Sequence, residues 1–147
     1  MKHKLKAMMT VLVTSLLLSG VSHARDTTHF LNFNEVVQEA LAAGRLDGSV
    51  KFYLDSQPRG AKLIRRNVTT SKKTNAFNKT DQAACSWALQ SALIGLQTAA
   101  KNAGANAVVN LVSNYKHNVY KSREDYECHA GAIMAGVALK GDLARVR

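Results

Sequence analysis

Apolar and polar positions along the chain follow two periods, and the change from one to the other divides it into elements. Val36, Val37, Ala40 and Leu41 recur at helical spacing and predict a short, one-sided helix. Asn32 stands where an N-cap belongs, Glu35 three residues on completes a capping box, Leu31 can staple onto Val36, and Gly44 ends the segment. A longer helical run extends from about Asp81 to Ala103, with Thr80 as its cap, Asp81 in the first turn and Lys101 in the last. Its spacing puts Cys85, Leu89, Ala92, Leu93, Leu96, Ala100 and Ala103 on one broad face. Trp87 and Ile94 fall on the other side, where a two-layer domain expects polar residues. Cover by Phe30, Leu31 and Phe33, or contact with a partner protein, would account for them.

Elsewhere the period is two or absent. Arg25 to Leu31 reads as extended. Ser49 to Asp55 alternates as a strand, Ser56 to Gly60 is a turn holding the only proline, and Ala61 to Thr69 reads as the hairpin partner. Thr69 to Lys79 is polar and basic without periodicity, which predicts an exposed connection. Asn106 to Tyr115 carries apolar residues on both faces and reads as a central strand, followed by a polar excursion from Lys116 to Asp125. The last strand, Tyr126 to about Lys140, sets Cys128, Ala130, Ala132 and Met134 on one face, with Gly131 and Gly136 as candidate bulges. Together these elements predict an α+β domain: a mainly antiparallel sheet of about four strands, one long helix packed across it and a short N-terminal helix.

Residues 1–24 change the picture of where this domain works. Lys2, Lys4 and Lys6 precede an apolar run from Ala7 to Leu18, and Ser22-His23-Ala24 has small residues at both cleavage positions, so a signal peptide cut after Ala24 is expected. The run is shorter than the roughly 20 apolar residues of a membrane span. Residues 25–147 then form a single domain that is periplasmic or secreted. Removing the three lysines takes the formal charge from +10 to +7, which favours anionic partners. Cys85 and Cys128, the only cysteines, are most simply one disulfide in an oxidising compartment; a free reactive thiol and a metal ligand are the alternatives.

The helix with its early cysteine, the stretch Gly104-Ala-Asn-Ala-Val-Val-Asn, and Tyr126-Glu-Cys-His-Ala-Gly-Ala-Ile-Met-Ala-Gly-Val-Ala-Leu-Lys-Gly resemble a group of small exported proteobacterial proteins of unknown function. That group often carries the label "excinuclease ATPase subunit", and the resemblance runs from about Arg25 onwards. Residues 81 to 140 are more distantly similar to the Rcs envelope-stress sensor lipoprotein and to related small α/β proteins, which implies a disulfide-stabilised envelope fold. This chain has two cysteines rather than that protein's larger set, and no lipidation site. ATPase chemistry finds no support, because no glycine begins a phosphate-cradling Gly-x-x-x-x-Gly-Lys-Ser/Thr loop.

Other chemistry is thinly represented. Cys128 and His129 are adjacent, but neighbours on a strand point to opposite faces, so the histidine is badly placed to take a thiol proton. No His, Cys, Asp or Glu set has structural-zinc spacing; His117 and His129 are the nearest candidates, and neither a metal nor a cofactor is expected. Lys62, Arg65, Arg66, Lys72, Lys73 and Lys79 form the densest charge cluster, with Phe52 and Tyr53 on the presumed partner strand, and predict an anion-binding patch. The expected function is therefore that of a non-enzymatic periplasmic binding or envelope-associated module, with an envelope protein or anionic envelope component as partner. The alternative is an electrostatic binder of lipopolysaccharide, phospholipid or nucleic acid.

Overall fold

A computed structural model describes residues 25–147; the predicted signal peptide lies outside the described residues. The elements run β1 (Thr27–Asn32), α1 (Phe33–Ala42), β2 (Lys51–Leu54), β3 (Lys62–Asn75), α2 (Asp81–Asn102), β4 (Ala107–Tyr115), β5 (Asn118–Tyr120), β6 (Asp125–Ala130) and β7 (Met134–Arg145). All seven strands join one mixed sheet, in the order β1-β6-β7-β4-β2, with β3 also on β7 and β5 on β4. Every pairing is antiparallel except β2 with β4. The sheet curls into a half-barrel, which corrects the expected mainly antiparallel sheet of about four strands.

The count rises to seven because β1 pairs with β6, because the polar excursion from Lys116 to Asp125 folds back as β5 on β4, and because the final strand is split. Three differences from the expected elements reshape the sheet. The stretch Thr69 to Lys79, expected as an exposed connection, is strand as far as Asn75 and pairs along β7 from Thr69↔Lys140 to Asn75↔Met134. As an edge strand it has one neighbour among the described strands, so it needs few apolar residues; Val68, Thr70 and Thr74 turn partly buried sides inward, and the Thr74 hydroxyl donates to Ala84 O at 3.0 Å. The expected hairpin between the second and third strands does not form. Its connection docks on β4 instead, with Asp55 N–H donating to Leu111 O at 2.9 Å and Asn110 N–H to Ser56 O at 2.7 Å, so β2 lies parallel to β4 and β3 crosses to β7. The long final strand is broken into β6 and β7 by a tight turn, in which Gly131 N–H donates to Met134 O at 2.8 Å. A side chain at Gly131 would place Cβ 2.9 Å from the Arg25 carbonyl oxygen.

The core lies between α2 and the concave face of the sheet. Ala84, Cys85, Ala88, Leu89, Ala92, Leu93, Leu96 and Ala100 are buried against Cys128, Ala130, Val137, Leu139 and Leu143. Small residues on both sides let helix and sheet approach closely. Cys85 and Cys128 form the disulfide, with Cα atoms 5.9 Å apart, and no described cysteine is free. Both helices begin at side-chain caps: Asn32 Oδ1 accepts from Glu35 N–H at 3.0 Å and Thr80 Oγ1 from Ala83 N–H at 3.1 Å.

Candidate functional site

The six basic residues singled out above do not form one patch. Lys72 pairs with Val137 and Arg65 with Leu143, both core residues, so these cations leave the sheet on its helix-bearing side. Lys73 pairs with Gly136, on which a Cβ would meet Lys73 Cγ at 3.5 Å and Tyr115 Cε2 at 3.7 Å, so it belongs to the outer face. Arg66 lies in the irregular stretch between Arg65 and Val68, where the register shifts, and Lys62 at the far end of β3 opposite Arg145. Lys79 sits in the β3–α2 connection, its Nζ donating to Asn75 O at 3.1 Å. Alternation along a strand divides charges that are contiguous in sequence. Phe52 and Tyr53 are on β2, which does not adjoin β3.

What the fold does assemble is a tip where the β6–β7 turn meets the β3–α2 connection. Ala76 N–H donates to Ile133 O at 2.6 Å, Asn75 pairs with Met134, and Phe77 N–H is held by Asn75 Oδ1 at 2.7 Å. Phe77, Ile133 and Met134 are 63%, 65% and 45% exposed, which brings three large apolar side chains to solvent at one end of the β3–β7 ladder. Lys73 and Lys79 flank them, and a cleft of about 450 Å³ lies alongside, lined by Lys73, Tyr115, His129, Ile133, Met134 and Gly136. Sequence reading missed this cluster because Phe77 and Ile133 are 56 residues apart, though two bulky apolar residues, Ile133 and Met134, two and three positions after Gly131 are an unusual composition for a turn.

Behind the tip an ionic knot fastens β1 to α2. Arg25 donates through both guanidinium nitrogens to Asp81, at 2.8 and 2.9 Å, and also to Gly131 O at 2.9 Å; His29 Nε2 lies 2.8 Å from the same carboxylate. The Arg25 hydrogen bond, then that of His29, hold the Asp81 carboxyl down at about 2. His129 stacks on Tyr115 with ring centroids 3.6 Å apart, between Glu127 Oε2 at 3.1 Å and Asp26 Oδ1 at 3.3 Å. His117 stands in the exposed β4–β5 turn. Among the described residues no three His, Cys, Asp or Glu side chains converge in a metal-holding geometry. The disulfide leaves neither thiol for nucleophilic chemistry.

Trp87 and Ile94 are 42% and 37% exposed. The N-terminal aromatics do not cover them as that reading supposed: Phe33 is buried, 6.4 Å from Phe52, and Phe30 pairs with Tyr120 at 4.5 Å. Trp87 instead carries Arg45, whose guanidinium carbon stands 4.1 Å from the ring centroid. Among the described residues no helix is long and apolar enough to cross a membrane. Compared with known proteins, the chain matches no family, no curated protein and no solved structure.

Proposed function

We propose that the chain is an exported, non-catalytic envelope-associated binding module, its export supported by the resemblance to small exported proteobacterial proteins of unknown function, and that it docks on anionic phospholipid through the β3–β7 tip. The observation that carries this reading is the grouping of exposed Phe77, Ile133 and Met134 beside Lys73 and Lys79. Apolar side chains enter the acyl boundary while flanking cations attract the headgroups. Each lysine near an anionic surface is worth about 1 kcal/mol, and burying Phe77 and Ile133 about 1.5–3 kcal/mol each. A sum on the order of 5 kcal/mol gives reversible association rather than permanent anchoring. Arg25 adds little to it, since Asp81 already pairs its charge.

Co-sedimentation of residues 25–147 with phosphatidylglycerol vesicles tests the reading. Binding is expected at low salt, about tenfold or more weaker on phosphatidylcholine, and reduced about tenfold or more by Ile133→Ser with Phe77→Ser or by Lys73→Ser with Lys79→Ser. Equal binding by wild type and both double variants would overturn it, as would binding to DNA or lipopolysaccharide with none to the vesicles.

A further inference from the structure

A second cleft, of about 460 Å³, opens between α1 and the amino-terminal half of α2, and its chemistry is opposite to that of the tip. Glu35 and Glu39 line it from successive turns of α1, alongside Ser86, Trp87 and Tyr126. Like charges four residues apart on a helix repel, and neither glutamate has an ion-pair partner among the described residues. In a chain with a large excess of lysine and arginine, an acidic cleft without a cation is an exception that needs an explanation.

Tyr126 supplies an independent observation. It is 1% exposed, the largest fully buried side chain in the core, yet its hydroxyl makes no hydrogen bond to a described residue, and among the described residues no buried side-chain nitrogen or oxygen is sealed off without a partner. The hydroxyl therefore reaches the cleft that Tyr126 lines. Burial, then the nearby Glu39 charge, push its pKa upward, so it stays a neutral phenol whose oxygen can accept a hydrogen bond. Glu39 is oriented from behind: Ser86 Oγ donates to Glu39 Oε2 at 2.9 Å, Gln90 Nε2 to Ser86 Oγ at 2.9 Å, and Arg45 to Gln90 Oε1 at 2.9 Å. Arg45 is thereby occupied three hydrogen bonds away from Glu39, stacked on Trp87, and leaves the carboxylate oxygens of the cleft to another donor.

We infer that this cleft binds a linear alkylammonium ligand, with Glu35 and Glu39 as counter-charges, the Tyr126 hydroxyl accepting from the ammonium and the Trp87 indole as one wall. An aliphatic diamine fits best, because it sets two ammonium groups against two carboxylates on successive helical turns and an apolar chain against the wall. A divalent metal ion matches the charge but leaves the apolar wall unused.

Titration of residues 25–147 with putrescine tests this through the fluorescence of Trp87, the only tryptophan. A saturable change is expected at concentrations where magnesium of equal charge and ionic strength produces none. Glu39→Gln is expected to weaken putrescine binding about tenfold or more, and Tyr126→Phe severalfold. Because the Tyr126 hydroxyl has no partner among the described residues, Tyr126→Phe should unfold at nearly the wild-type temperature, which separates lost binding from lost folding. A response matched by magnesium, no saturable response to putrescine, or undiminished affinity in both variants overturns the assignment. None of these results bears on vesicle binding at the tip.

Discussion

Asp142 accepts hydrogen bonds from two of the strands beside β7: Asn67 N–H donates to Oδ1 at 2.9 Å from β3, and the Asn110 side-chain amide donates to Oδ2 at 3.1 Å from β4. Both asparagines have positive φ, 55° and 51°, at the places where the ladders slip register, so one carboxylate secures two bulges. Asp142→Ala is expected to cost about 1–3 kcal/mol in urea unfolding, while Asp142→Asn, which retains an acceptor, costs less. Next to it, a Cβ at Gly141 would meet Val108 Cγ1 at 2.9 Å and Leu111 Cδ1 at 3.0 Å, so Gly141→Ala should destabilise by a similar amount through overpacking. Asp81 predicts a pH effect. Its carboxyl titrates near 3.9 unfolded and at about 2 folded, so its contribution is fully present above pH 4 and is lost as pH falls through 2. Acid unfolding of Asp81→Asn should lack that component, and an unchanged acid transition would contradict it. The caps at Asn32 and Thr80 were legible in the sequence because a cap acts within three residues. Asp142 was not, because it serves strands distant in sequence.

At the scale of elements, legibility followed the apolar pattern. The two helices stood out because each buries a periodic face, and that face on α2 carries Cys85 to Cys128; β4 stood out because it is apolar on both faces, as a central strand must be. β3 was obscured beyond Thr69 because Ser71, Lys72 and Lys73 break any alternation of polarity; the β-branched Val68, Thr69, Thr70 and Thr74 were the usable sign. The turn between β6 and β7 was obscured for the opposite reason: Ile133 and Met134 look like strand interior but project into solvent. The disulfide joins α2 to β6 across 43 residues of sequence, a loop for which chain entropy predicts roughly 4 kcal/mol of stabilisation. Reduction, or replacing both cysteines with serine, should therefore lower the unfolding midpoint markedly. Reduction should also loosen the contact of α2 with β6 before that of β3 with β7, which hydrogen exchange would resolve.

For the molecule as a whole, charge has opposite signs at the tip, with its lysines, and at the cleft between the helices, with its glutamates. Raising salt should weaken vesicle binding by screening the lysines, yet leave the part owed to Phe77 and Ile133. Ile133→Ser with Phe77→Ser should therefore show a steeper relative loss at high salt than at low salt. The remaining cations of β3 acquire another use from the topology. Among the described strands β3 pairs only with β7, so a fourteen-residue strand leaves its outer rim without a partner. Such a rim is a template on which a second copy can extend the sheet, and Lys62, Arg65, Arg66 and Lys72 oppose that by mutual repulsion. Replacing these four with threonine would favour strand formation while removing the repulsion, and should make the chain assemble end on end into β-rich fibres at raised concentration.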